Sequence, residues 1–133
     1  MDSVKIKYEP LPGRNVLVVD DLEVNLYVAE KALEPYEMLI DLARSGFEAI
    51  DKIKVGNVYD VIFMDHIMPK MDGVETVARL RDFGYTGTIV ALTANAIVDN
   101  GELYTQNGFD GFFSKPIDLT ELNAVLDKFI RNK

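Results

Sequence analysis

Three acids, one hydroxyl and one amine fall where chemistry can be built from them. Asp20 closes the apolar run Asn15–Asp20 (NVLVVD) with Asp21 beside it, Asp65 closes YDVIFMD, Thr93 closes TIVALT, and Lys115 follows FDGFFS. Each run reads as a strand buried on both faces, the last less regularly. In open α/β sheets, ligands bind outside the carboxyl ends of the strands, so neighbouring strands would bring these groups to one edge. Carboxylates forced together repel and raise one another's proton affinity. A hard divalent cation removes that repulsion, and magnesium suits a site of one or two carboxylates that leaves positions for water or phosphate oxygens. A carboxylate in such a place can attack phosphorus and form an aspartyl-phosphate. The oxygens of a transferring phosphoryl group need stabilisation, which the cation, the Lys115 ammonium, and the Thr93 hydroxyl with the Ala94 backbone N–H would share.

The elements that must position these groups alternate along the chain. Leu22–Leu33 has helical spacing, with Val24, Val28 and Ala32 on one stripe and Ala29 and Leu33 on the next, and Pro35 stops it. Glu37–Ala43 reads as a second strand and ends in Ala43-Arg44, without a comparable reactive group. Ser45 with Glu48 forms a capping-box pattern for a helix to about Val55, closed by Gly56 and Asn57. Tyr59–Asp65 is the third strand, Met68–Gly73 a turn, and Gly73–Phe83 a helix with Val74, Val77 and Leu80 inward. Thr88–Thr93 is the fourth strand. A helix is expected over Asn95–Asn107, weakened by Asp99, Asn100 and Gly101. Phe109–Ser114 is the fifth strand. Asp118 and Glu121 then cap a last helix with Leu119, Leu122, Val125, Leu126 and Phe129 inward. Such alternation predicts a parallel sheet covered on both faces by right-handed crossover helices. Residues 1–14, with Pro10, Leu11, Pro12 and Gly13, read as a linker or lead-in to a single domain over 15–133.

Composition excludes whole classes of function. At 133 residues the chain is one domain with room for a real core. It has no cysteine, hence no disulfide framework, thiol nucleophile or cysteine-bound metal, and one histidine, His66, too few for a histidine zinc site. A net charge of −8 without a dense basic cluster argues against nucleic acid and anionic membrane surfaces as partners. No apolar run reaches membrane-spanning length, and the N-terminus lacks a signal-peptide core.

VLVVDD, VIFMDHIMPKMDG, ALTANA and FFSKPI, in that order, resemble the signature of two-component receiver domains, the phosphoacceptor half of histidine–aspartate phosphorelays. The likeness runs from about Asn15 to Ile130, and DDLEVNLYVA with ALTANA is similar to receivers attached to hybrid histidine kinases, a stand-alone regulator being the close competitor. It implies one doubly wound, flavodoxin-like domain with a five-stranded parallel sheet of order 2-1-3-4-5. Residue by residue, it implies Asp65 as the phosphorylated aspartate, and Asp20 and Asp21 as magnesium ligands with the Ile67 backbone carbonyl. Thr93 and Lys115 would engage the phosphoryl group, Pro116 would follow a cis bond, and Phe112 would be the aromatic switch. The implied donor is a histidine kinase or a histidine-phosphotransfer domain. The implied location is the cytoplasm, alone or as the cytoplasmic part of a membrane-bound sensor kinase. Phosphorylation would bias a two-state equilibrium, moving Thr93, Phe112 and the helix after strand four.

Plainer readings stand beside these. His66 follows Asp65 directly, so its side chain points the other way and reads as flanking rather than catalytic. Met64, Met68 and Met71 read as packing, and Asp72-Gly73 as a turn and helix start. Leu22 and Leu26, placed on the outer side of the first helix, would with Ile67, Pro116 and Ile117 form a docking patch for a helical bundle bearing phosphohistidine. A magnesium phosphohydrolase acting through an aspartyl-phosphate is the enzymatic alternative, but it needs a second acid where Ile67 stands. A docking-only receiver and a flavin-binding domain are the remaining alternatives. Flavin binding is disfavoured because Asp20-Asp21 would repel phosphate.

Overall fold

The computed structural model describes residues 8–94 and 102–131. Five parallel strands form one sheet in the order β2-β1-β3-β4-β5. They are β1 (Asn15–Val19), β2 (Leu39–Ala43), β3 (Val61–Asp65), β4 (Ile89–Thr93) and β5 (Gly111–Ser114). The described helices are α1 (Glu23–Leu33), α2 (Gly46–Lys54), α3 (Gly73–Phe83), α4 (Glu102–Gln106) and α5 (Leu119–Leu126), the last running into a π-helical turn over Asp127–Arg131. The fold is the doubly wound one expected.

Period-two alternation along buried strands splits the core in two. Val16, Val18, Phe63, Leu92 and Phe113 face α1 and α5, meeting Leu26, Ala29, Leu33, Leu122 and Leu126. Leu17, Val19, Ile62, Met64 and Ala91 face the other way, toward Ala49 and Ile53 of α2, Val77 and Leu80 of α3, and Tyr104 of α4. Register then aligns the strand ends: Val19 pairs with Ala43 and Met64, Asp65 with Leu92, and Thr93 with Ser114.

Caps fall where the sequence places them. The Ser45 hydroxyl accepts from Glu48 N–H, and Asp72 from Glu75 N–H. Asp118 accepts from the N–H groups of Thr120 and Glu121. Glu48 reaches back to Arg44 N–H rather than to the cap residue itself.

Three expectations change. The buried stripe of α1 is Leu26, Ala29 and Leu33, while Val24 and Val28 are exposed. Apolar residues surround most of this helix, so spacing alone leaves its rotation open, and packing chose the i, i+3, i+7 stripe. The second strand starts at Leu39, because a 3₁₀ turn (Glu34–Tyr36) ends with Glu37 in the left-handed region at φ 58°. Leu119 is exposed rather than inward. In the lead-in, Leu11 is buried and donates its N–H to Tyr36 O at 2.7 Å, and Tyr8 packs edge-on against Tyr36. Most of the helix expected over Asn95–Asn107 lies outside the described residues; Glu102–Gln106 is helical. Among the described residues, no helix is long and apolar enough to cross a membrane.

Candidate functional site

Asp20 follows β1 directly and is buried. Its N–H donates to Ala43 O, and its Oδ1 accepts from Leu22 N–H at 3.0 Å and the Asn25 amide at 3.3 Å. The turn into α1 therefore holds one carboxylate oxygen and leaves Oδ2 to accept from Lys115. Asp21 is half-buried beside it.

Asp65 is the last residue of β3, buried between β1 and β4. The loop after it is pinned from both sides, His66 N–H donating to Leu92 O at 3.2 Å and Gly73 N–H to His66 O at 2.7 Å. Gly73 is required here, since a Cβ at that position would overlap the Asp65 carbonyl oxygen. The sequence marks Gly73 only as a helix start; its closeness to Asp65 is created by the loop's return. Met68 and Met71 are buried in this loop as packing, and Ile67 is exposed.

Lys115 joins the two strand ends. Its Nζ donates to Asp65 Oδ1 at 2.8 Å and to Asp20 Oδ2 at 2.9 Å. Its backbone N–H donates to Thr93 O at 2.9 Å, and its bond to Pro116 is cis. Thr93 is buried at the end of β4.

Asp20, Asp21 and Asp65 each bring an oxygen to within 4.8 Å of the others. Burial pushes the Asp65 carboxyl above its ordinary pKa; the Lys115 hydrogen bond opposes this, and the charges of Asp20 and Asp21 add to the rise. Burial alone would lower Lys115, but its bonds to Asp65 and Asp20 outweigh that and hold its pKa up. One ammonium thus faces three carboxylates. The residual negative charge, the close oxygens and the burial fit a hard divalent cation.

Phe112 is half-buried and stacks on the ring of Tyr104 with centroids 5.7 Å apart. His66 points away from Asp65 as expected, and its Nδ1 lies 2.9 Å from the Tyr104 hydroxyl. Nothing in the sequence signals that pairing.

Of the docking residues, Leu22, Ile67 and Pro116 are exposed and Ile117 is half-buried. Leu26 is 1 % exposed and belongs to the core, so it leaves the patch. Its place is taken by Val24, Tyr27 and Val28, all exposed on α1. A cleft of about 280 Å³ lined by Asn25, Val28, Pro116 and Ile117 runs from this face to Asp20 and Lys115.

Comparison with known proteins agrees with this geometry. The model of the response regulator receiver domain matches residues 16–127. The osmosensing histidine protein kinase SLN1 of Saccharomyces cerevisiae is 44% identical over 121 residues, covering 86% of this chain and 10% of that protein. The chain thus spans about a tenth of that relative's length. The crystal structure of the receiver domain of sensor histidine kinase PA1611 from Pseudomonas aeruginosa, with magnesium coordinated in its active site cleft, superposes with a TM-score of 0.79 at 31% identity, covering 90% of this chain and 98% of that one. The receiver domain of Saccharomyces cerevisiae Ssk1, co-crystallised with the histidine phosphotransfer protein Ypd1, gives a TM-score of 0.82 at 27% identity over 91% of each chain. With its five-stranded order, its clustered strand-end acids and a family match over most of its length, the chain belongs to the response regulator receiver domain family.

Proposed function

We propose that this domain accepts a phosphoryl group from a phosphohistidine donor onto Asp65 in a magnesium-dependent step and changes conformation in response. The observation that carries this is Lys115 Nζ bridging Asp65 and Asp20 inside a cluster of three carboxylates at adjoining strand ends. An Asp65 carboxylate oxygen forms the new P–O bond while the P–N bond breaks and its electron pair returns to the imidazole. Asp20, Asp21 and the Ile67 carbonyl would hold magnesium. Bound magnesium would offset the carboxylate repulsion and stabilise charge on phosphoryl oxygens. Lys115, already anchored to Asp65, stabilises a second phosphoryl oxygen, and the Thr93 hydroxyl a third. Phe112 repacks as Thr93 moves.

The donor is a histidine kinase or a histidine-phosphotransfer bundle. The exposed apolar face of Leu22, Val24, Tyr27 and Val28, continued by Ile67, Pro116 and Ile117, suits an apolar helical surface beside the acceptor. The Ypd1 complex of the similar Ssk1 receiver supports a partner of that kind. We assign residues 15–133 to the receiver and 1–14 to a linker, place the domain in the cytoplasm, and take the parent protein to be a hybrid histidine kinase.

Intact-mass measurement after incubation with acetyl phosphate tests the chemistry. One added phosphoryl group is expected only with magnesium present and Asp65 intact. Equal labelling of wild type and Asp65→Asn would overturn the assignment.

A further inference from the structure

Tyr104 is fully buried, and its hydroxyl reaches the residue next to the acceptor. It lies 2.9 Å from Nδ1 of His66, the residue directly after Asp65, and the two rings meet edge-on at 5.4 Å. The other side of the same ring stacks on Phe112 at an interplanar angle of 24°, and Phe109 meets it edge-on. Tyr104 therefore touches both the β3–α3 loop and the aromatic of β5. A buried hydroxyl removed from its partner is costly, so the ring is held in one place by a directional bond rather than by packing alone. Phe112, by contrast, is only half-buried and has no hydroxyl of its own to fix it.

We infer that Tyr104 is a positioning residue that couples the acceptor loop to Phe112 through its hydrogen bond to His66, an inference that rests on Asp65 being the phosphoryl acceptor. A shift of the loop when Asp65 is modified moves His66, His66 moves the Tyr104 hydroxyl, and the stacked face of Tyr104 re-aims Phe112. Coupling of this kind is reciprocal, so loosening Tyr104 also changes how tightly the acceptor site holds its phosphoryl group.

The test uses the full chain with magnesium and beryllofluoride, a phosphoryl analogue, followed by NMR of the Asp65 and Lys115 amides and the Phe112 ring. Tyr104→Phe keeps the ring and deletes the hydroxyl; His66→Phe keeps an aromatic edge and deletes the nitrogen. Saturation at the Asp65 and Lys115 amides is expected in both variants, with beryllofluoride affinity changed about fivefold, the worth of one buried hydrogen bond. The Phe112 ring response should fall below half of that in wild type. The double variant should lose no more than either single one, because all three remove the same bond. A full Phe112 response in Tyr104→Phe, or additive losses in the double variant, would overturn the coupling. Absence of beryllofluoride binding in wild type would overturn the acceptor chemistry itself, and is read separately at the Asp65 amide. A thermal melt of each variant separates lost coupling from lost fold.

Discussion

At the scale of single residues, charge balance governs the site. Two of the three clustered carboxylates, Asp20 and Asp65, share the Lys115 ammonium, and the Asp65 carboxyl is raised mainly by burial. An acid whose pKa is raised on folding contributes stability below its unfolded pKa and loses that contribution as pH rises through its folded value. Without a divalent cation, Asp65 therefore weakens the fold at neutral pH relative to acid. A magnesium ion bound to the native state would offset this, and at ten times its Kd would add about 1.4 kcal/mol of stability. The rise in Tm on adding magnesium should accordingly grow as pH rises through the raised Asp65 pKa. A rise of the same size in Asp65→Asn as in wild type would show that Asp65 takes no part in binding the ion. His66 belongs to the same scale: sequence alternation aimed it away from Asp65, and the structure shows what it meets there.

At the scale of elements, the β3–α3 loop matters most. It leaves at Asp65, passes Ile67 and buried Met68 and Met71, and returns at Gly73 against the Asp65 carbonyl. A methyl group at residue 73 would push directly on the Asp65 backbone. Gly73→Ala should destabilise the domain by about 1–3 kcal/mol, the usual cost of overpacking, and weaken magnesium binding as well. Thermal melts with and without magnesium check both effects. An unaffected Tm would mean that the loop yields freely. Helix α1 is the other telling element. Leu26 turned inward and Val28 outward, which reshaped the expected docking patch. Val28→Asp should leave labelling by acetyl phosphate unchanged but slow transfer from a phosphohistidine-bearing helical bundle at least tenfold. Equal slowing with both donors would place the effect in the site instead of in docking.

At the scale of the whole molecule, Arg81 adds a clamp between the end of α3 and the start of the β4–β5 ladder. Its guanidinium donates to the carbonyls of Tyr85, Gly87 and Gly108 and pairs with Asp110 at 3.0 Å. One side chain thus fastens the end of α3 to the approach of β4 and to the α4–β5 turn, below Tyr104 and Phe112. Hydrogen bonds to charged groups contribute about 1.5–3 kcal/mol each in net stability, and these act as a unit. Arg81→Ala should cost about 2–4 kcal/mol in urea unfolding. Arg81→Lys should recover only part, because an ammonium cannot reproduce the fork. Full recovery by lysine would show that charge, not geometry, carries the clamp.

The sequence by itself determined the fold class, the alternation of elements, the helix caps at Ser45 and Asp118 and the strand-end positions of Asp20, Asp21, Asp65, Thr93 and Lys115. These are local or periodic properties: a buried strand reads as an apolar run, and its last residue marks the sheet edge whatever its neighbours are. The tertiary structure decided which stripe of α1 is buried, where β2 begins, and that Lys115 touches both Asp20 and Asp65. It also decided the nearness of Gly73 to Asp65, of His66 to Tyr104, and of Arg81 to Gly108 and Asp110. Those contacts join residues of different elements and loops, so periodicity carries no trace of them. They follow only once packing has set each helix's rotation and each loop's return.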